Sequence, residues 1–170
     1  VSPSTLVQHQ KNWLCREFGT EAGEKLLPAM LEFYRLCGIR KPEFMGWNQV
    51  ELDKKKYIKG WSPIKNTDFS LTEFGGELDR YLESYESIKR ILSEVEPIIP
   101  QERKDAFFAQ IKYPVFGAAA MSTKMLEAQR ARCIFPGSCD TNLWTRESQL
   151  MNACAKSIKA YQEIRDLTDY

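Results

Sequence analysis

Histidine is nearly absent from this chain, since His9 is the only one among its 170 residues. Metal sites that need paired histidines are therefore excluded, including the di-iron pattern of some helical bundles, which repeats Glu-x-x-His. A serine or cysteine nucleophile activated by histidine would depend on His9 alone. Because His9 lies in a polar stretch of a predicted helix, we interpret it as a solvated surface residue. We predict no metal site.

Several other signals of function are also missing from the sequence. It contains neither a GxGxxG motif nor a P-loop, and these are the common glycine-rich cradles for phosphate groups. No apolar run approaches the length that spans a membrane. The net charge is only +1, so the chain has no overall field to attract a polyanion. We therefore expect no cofactor, no nucleic-acid partner and no membrane partner.

The chain has five cysteines, an odd number that leaves at least one thiol without a disulfide partner. Cys15, Cys37 and Cys154 lie at apolar helix positions and predict small buried side chains. Cys133 and Cys139 flank a Pro-Gly turn that permits a disulfide in an oxidising compartment. The sequence does not give the Cβ geometry that decides between a disulfide and two thiols.

Apolar residues recur at helical spacing in five stretches, which predicts an all-α fold. The clearest seam consists of Leu78, Tyr81, Leu82, Tyr85, Ile88, Leu92 and Val95. Short connections favour antiparallel neighbours, so we predict an up-and-down bundle of about five helices. The bundle is expected to form one domain over residues 1–170.

Local motifs predict where these helices begin and which residues face the core. Ser4 is a candidate N-cap of the first helix, and Thr20 opens the second. Ser70 and Glu73 match a capping box, although the following glycines can shift the helix start to Glu77. The last helix is predicted to turn one apolar set inward: Leu143, Leu150, Met151, Cys154, Ile158, Tyr161 and Ile164.

Residues 39–72, which we call the connecting segment, have no helical period and are rich in glycine, proline and aromatic residues. A structureless stretch of this length is unusual inside a compact domain. Some of its aromatic rings are expected to pack on the helices. The others suit an exposed contact surface, because Trp and Tyr offer a rigid apolar face with a polar group.

The connecting segment and the helices around it resemble the helical domain that follows the catalytic barrel in glycoside hydrolase family 115. The resemblance begins at Phe33-Tyr34-Arg35-Leu36 and continues through Ile39-Arg40-Lys41-Pro42-Glu43-Phe44-Met45-Gly46-Trp47. It includes Thr67-Asp68-Phe69-Ser70, and then Lys104-Asp105-Ala106-Phe107-Phe108 leading to Tyr113-Pro114-Val115. The motifs occur in the family's order and the resemblance weakens after Arg130.

This resemblance implies a non-catalytic part of an α-glucuronidase that removes glucuronic acid or its 4-O-methyl form from xylan. The family's catalytic carboxylates lie on a barrel that this chain does not contain, so no catalytic residue is predicted here. The implied partners are other domains of the same polypeptide, a second copy in a homodimer, and a xylan-derived saccharide. The implied location is periplasmic or secreted.

Three hypotheses for function follow. In the first, the chain is a helical domain that braces the barrel, and residues 40–68 offer contacts through Arg40, Trp47 and Trp61. The second is a free-standing helical module that binds a protein or a saccharide with the same residues. The third and weakest is a small hydrolase that uses carboxylates near Glu73 and Glu77. The positive end of a helix dipole is the better explanation of acidic residues there, because nothing in the sequence would desolvate one of them.

Overall fold

A computed structural model describes residues 2–45, 53–56, 66–134 and 143–169. The helices are α1 (Pro3–Phe18), α2 (Thr20–Ile39), α3 (Glu77–Val95), α4 (Lys104–Phe107), α5 (Tyr113–Ile134) and α6 (Leu143–Thr168). A π-helical turn, Phe108–Lys112, joins α4 to α5, so the described residues form five long helical stretches. The described residues include no β-strand. The predicted all-α fold is confirmed.

The chain divides into two compact units. The first unit contains residues 1–39 and 83–116, and the second contains residues 40–82 and 117–170. The expectation of one helical domain over residues 1–170 stays a prediction.

The first unit is organised by a close crossing of α1 and α2 at Gly23. A Cβ atom added to Gly23 would lie 2.5 Å from the backbone nitrogen of Cys15 and 2.6 Å from its Cα. Only glycine allows the two backbones to approach this closely. The crossing buries Leu14, Phe18 and Leu26, and their packing holds the two helices together.

Phe18 also connects α1 to the rest of this unit. Its ring meets that of Phe107 edge to face at 5.8 Å, and Trp13 packs on its other side at 5.9 Å. Edge-to-face pairs of this kind add to the stability that burial alone gives. The first unit therefore has an aromatic centre built from residues far apart in the sequence.

Helix starts were predicted with mixed success. Thr20 does open α2, and α3 begins at Glu77, the later of its two predicted starts. The prediction for α1 is wrong by two residues: Ser2 is the N-cap, and its Oγ accepts a hydrogen bond from the amide of Thr5 at 3.4 Å. Pro3 then occupies the first helical turn, where its missing N–H has no cost, and Ser4 is already within the helix.

Proline explains the irregular turn between α4 and α5. Pro114 has no N–H to donate to the carbonyl of Gln110, and its ring crowds that carbonyl. The π-helical turn Phe108–Lys112 lies directly before it, and such wider turns absorb a local defect in a helix. Ile111 and Val115 remain buried across the irregularity, so the helix continues with its apolar face on the core.

In the second unit, α6 is oriented differently from the prediction. Met151, Ile158 and Tyr161 are 66%, 60% and 50% exposed, and Cys154 is exposed as well. The predicted inward face of α6 is therefore wrong for these four residues, and Cys154 is not a buried hydrophobe. The helix instead buries Ala153 and Ala160. Small side chains let α6 approach its neighbour closely, which apolar spacing alone did not indicate.

Helix α6 contacts α5 through Ser157 and Tyr161. Ser157 Oγ donates a hydrogen bond to the carbonyl of Lys124 at 2.8 Å. The ammonium group of Lys124 lies 5.6 Å from the centre of the Tyr161 ring, within the range of a cation–π attraction. Among the described residues, no helix is both long and apolar enough to cross a lipid bilayer.

The crossing at Gly23 leads to a test with an internal control. We expect Gly23→Ala to lower the free energy of unfolding by about 3 kcal/mol, because the new methyl group collides with the α1 backbone. A Cβ atom added to Gly38, in the same helix, would meet nothing within 4 Å. Gly38→Ala should therefore raise the free energy of unfolding by roughly 0.5 kcal/mol through helix propensity. Urea unfolding followed by circular dichroism measures both, and equal effects would contradict the close crossing.

Candidate functional site

The site predicted from the sequence is the connecting segment with Arg40, Trp47 and Trp61. Of these three residues only Arg40 is described by the structure; Trp47 and Trp61 lie outside the described residues. The described parts of the segment are residues 39–45, 53–56 and 66–72. They include two short 3₁₀ helices, Pro42–Phe44 and Lys54–Lys56. Whether the three predicted residues come together stays a prediction.

Arg40 lies at the beginning of the segment and is half-buried. Its Nη2 atom donates a hydrogen bond to the carbonyl of Phe44 at 3.3 Å, which closes the first turn on itself. Its Nε atom is buried, and no described residue accepts a hydrogen bond from it. A buried N–H of a charged group without an acceptor is costly, so the burial of Arg40 Nε is unfavourable within the described residues.

The beginning and the end of the segment both contact Tyr81 on α3. The Tyr81 hydroxyl donates a hydrogen bond to the carbonyl of Arg40 at 3.3 Å. On the other side, the ring of Phe69 packs against the Tyr81 ring with the two centroids 4.7 Å apart. Tyr81 is itself buried. One side chain of α3 therefore fixes two points that are separated by almost thirty residues of chain.

Gln129 on α5 holds the end of the segment with all the hydrogen-bonding capacity of its amide. Its Oε1 accepts from the backbone N–H of Thr67 at 2.6 Å and from the Thr67 hydroxyl at 2.7 Å. Its Nε2 donates to the carbonyls of Thr67 at 3.3 Å and Phe69 at 2.9 Å. Because Gln129 is buried, these bonds satisfy groups that water cannot easily reach.

Asn66, at the same end of the segment, contacts the next turn of α5. Asn66 Oδ1 accepts a hydrogen bond from Arg132 Nε at 3.0 Å, and Asn66 Nδ2 lies 3.4 Å from the Cys133 sulfur. The Nη2 atom of Arg132 is buried, and no described residue accepts a hydrogen bond from it. Burial holds the pKa of the Arg132 guanidinium below its ordinary value, yet an arginine stays charged at neutral pH.

Cys133 is a free thiol in the structure. Cys139, the other cysteine of the Pro-Gly turn, lies outside the described residues, so the question of a disulfide between the two stays open. The hydrogen bond from Asn66 gives the Cys133 sulfur a contact within the second unit. The contact joins Cys133 to the end of the connecting segment.

The carboxylates at the start of α3 have structural partners. Glu77 Oε1 accepts a hydrogen bond from the backbone N–H of Ser70 at 2.6 Å, and Ser70 Oγ accepts from that of Glu73 at 2.9 Å. Asp79 forms a salt bridge with Arg130 on α5. The carboxylates of Glu77 and Asp79 lie in the first turn of α3 and are occupied by these contacts, which favours the helix-dipole interpretation for both. The contact of Glu73 is made by its backbone N–H.

Arg130 is the centre of a small charge network on α5. Its Nε donates to Glu127 at 2.9 Å, and Lys156 lies 3.7 Å from the other oxygen of the same buried carboxylate. Burial acts to lower the pKa of Arg130, but the hydrogen bond to Asp79 and the charge of Glu127 outweigh it and raise the pKa. In this network the buried carboxylate of Glu127 has two cationic partners, as a buried charge requires.

Phe74 is an unusual residue near the start of α3. Its φ angle is 53°, and Gly75 and Gly76 follow with φ angles of 68° and 66°. A bulky residue rarely adopts this left-handed conformation. Arg80 Nη2 donates to the Phe74 carbonyl at 2.5 Å, which fixes the turn. The Phe74 ring is 71% exposed, so the turn displays an aromatic side chain to the surface.

His9 is exposed on α1, as the sequence predicted. Within the described ranges, no three His, Cys, Asp or Glu side chains are grouped closely enough to hold a metal ion. Comparisons with protein-family models, with curated proteins and with solved structures return no match to this chain. The resemblance to glycoside hydrolase family 115 therefore stays a prediction.

Sequence reasoning missed Gln129 and Arg132 as residues that organise the site. Both lie on α5, more than sixty residues after the segment that they contact. One signal was present: a glutamine between apolar helix positions, at a point where the helix has to be buried. A buried amide requires several partners, and an irregular backbone segment can supply them.

The amide of Gln129 gives a testable prediction for this site. We expect Gln129→Met to lower the free energy of unfolding by about 2–3 kcal/mol, because it leaves the polar groups of Thr67 and Phe69 without their partners. Urea unfolding measures the change, and hydrogen exchange at the Thr67 amide should become faster. Gln149→Met on the exposed surface of α6 is the control, expected within about 0.5 kcal/mol of the parent chain. Unchanged exchange at Thr67 would contradict the anchoring role.

Proposed function

We propose that this chain is a non-catalytic helical domain of a glycoside hydrolase similar to family 115, an α-glucuronidase acting on glucuronoxylan. In this proposal, the helices brace the catalytic barrel and residues 40–68 form an interface or the mouth of the active site. The motif resemblance around Arg40-Lys41-Pro42-Glu43 and Tyr113-Pro114-Val115 supports the family. The all-helical fold agrees with the domain that the resemblance implies.

One observation carries the role proposed for residues 40–68. Arg40 lies at the beginning of the segment and Arg132 lies beside its end. Each has a buried N–H group, and no described residue accepts a hydrogen bond from it. A guanidinium group prefers planar, bidentate oxygen partners, of which carboxylate is the commonest in proteins. Because these N–H groups are shielded from solvent, the proposal requires this part of the segment to shift before a carboxylate on a neighbouring domain, or the uronic acid of the substrate, can accept from them.

The anchoring of this region supports the same role. Tyr81 and Gln129 fix the two ends of the segment on α3 and α5, so the residues between them start from defined positions. Pre-organisation of this kind lowers the entropy lost when a loop makes a contact. The exposed Phe44 ring, with Lys41 at 5.9 Å from its centre, adds an aromatic and cationic surface at the first anchor.

The proposal predicts that this chain has no glycosidase activity when assayed by itself. Incubated with aldouronic oligosaccharides, it should release no glucuronic acid, because the catalytic carboxylates are proposed to lie on another domain. Chromatography of the reaction products measures the release. Turnover that is lost in Glu73→Gln or Glu77→Gln would contradict the proposal and support the small-hydrolase hypothesis.

The coding sequence upstream of this chain provides a second test of the proposal. We expect eight alternating strand and helix patterns upstream of residue 1, as a (β/α)₈ barrel requires. A reading frame that encodes these 170 residues alone would contradict the multidomain proposal and favour a free-standing binding module.

Binding measurements decide which contact Arg40, Trp47 and Trp61 make. If they form the mouth of the active site, calorimetry should detect binding of an aldouronic acid but weaker binding of the matching neutral xylo-oligosaccharide. Alanine at Arg40, Trp47 or Trp61 should then weaken the first affinity at least fivefold. Tyr34→Ala, which removes an exposed ring from α2, is the matched control. Equal affinity for both oligosaccharides would contradict a uronic acid contact and leave only an interface with another domain.

A further inference from the structure

Helix α6 presents an apolar seam to solvent. Met151, Cys154, Ile158 and Tyr161 are all exposed, and they follow one another at intervals of three, four and three residues. This is the a-and-d spacing of helices that pair along a single seam. Another side of α6 packs within the second unit through Ala153 and Ala160, and Tyr161, at the edge of the seam, stays 50% exposed although the Lys124 ammonium lies 5.6 Å from its ring. Four exposed apolar side chains in one row leave α6 with a face suited to another helix.

A charged residue stands at each end of this seam, on the same heptad spacing. Glu147 precedes Met151 by four residues, and Arg165 follows Tyr161 by four residues; both side chains are exposed. The neighbouring exposed positions Ser148, Ala155 and Gln162 are uncharged. Depletion of charge beside an apolar centre, with charges at the rim, is typical of protein interfaces.

The order of these residues is complementary to itself when the helix is reversed. Two α6 helices crossing antiparallel, with a twofold axis at the level of Lys156, place Glu147 opposite Arg165 at both ends. The same axis places Met151 opposite Tyr161 and Cys154 opposite Ile158. A parallel pair would instead set Glu147 against Glu147 and Arg165 against Arg165, which like-charge repulsion opposes. The charge pattern therefore favours an antiparallel over a parallel pair of α6 helices.

We propose that two copies of this chain dimerise through an antiparallel pair of α6 helices, with Met151, Cys154, Ile158 and Tyr161 in the seam and Glu147–Arg165 ion pairs at its ends. A twofold arrangement of this kind uses the same surface on both copies, as most homodimers do. The inference does not rest on the proposed function, because it uses only the exposed face of α6.

The size of the seam sets the expected affinity. From Glu147 to Arg165 it measures about 27 Å, at 1.5 Å per helical residue, and it buries four apolar side chains from each copy. That places it near the small end of specific interfaces. We therefore expect a dimer that dissociates in the micromolar range.

Sedimentation equilibrium at chain concentrations from about 1 to 500 µM tests the dimer. The mass should rise with concentration from the 19.7 kDa of one chain to twice that value. Ile158→Glu should shift the dissociation constant upward at least tenfold, because it sets two carboxylates in an apolar seam. Lys159→Glu, on the adjoining exposed position, should change it less than threefold. A constant mass of 19.7 kDa over the whole range would overturn the proposal and leave the proposed function intact.

Charge exchange tests the antiparallel register. Glu147→Arg and Arg165→Glu should each weaken the dimer, because each sets like charges opposite one another at both ends. The variant that carries both changes should recover an affinity within about threefold of the parent chain. Circular dichroism checks that every variant stays helical, which these exposed positions permit. Single changes without effect, or a double change without recovery, would overturn the antiparallel pairing.

Discussion

The side-chain amide of Gln129 holds the end of the connecting segment on α5. It bonds to the backbone of Thr67 on both its N–H and C=O sides and to the carbonyl of Phe69, so it acts as a short strand would, but from a helix. An irregular segment next to a core has unsatisfied backbone groups, and each is costly when water is excluded. A single buried glutamine on α5 satisfies three of them, which allows the chain to lie beside the helices without regular structure.

The arrangement around this amide also explains how the second unit can bring distant residues together. Tyr81 on α3 contacts Arg40 with its hydroxyl and Phe69 with its ring, while Arg132 on α5 contacts Asn66. Hydrogen bonds have direction, and ring packing has a preferred distance. Together they define the position of the segment's ends more closely than burial of apolar area would, since the hydrophobic effect has no direction.

Apolar spacing predicted α3 well and α6 poorly, and the reason is physical. In α3, the seam from Leu78 to Val95 is buried throughout, because it carries large side chains on one face and charges on the others. In α6, the large apolar residues and the alanines lie on different faces. Periodicity favours the larger residues as the core face, but close approach of two helices favours the smaller ones. Because the alanines of α6 pack inward, the larger residues Met151, Cys154, Ile158 and Tyr161 stay exposed.

The sequence by itself determined the class of fold and the start of α2 at Thr20, because helical periodicity and capping residues act over a few neighbouring residues. It also singled out Arg40 as a residue of the candidate site. Only the tertiary structure decided that Gln129 and Arg132 belong beside that segment, and that α6 turns its alanines inward. Those outcomes depend on contacts between residues more than sixty positions apart, or on which of two faces fits a neighbouring helix. No local pattern contains that information, since it arises only when the helices pack.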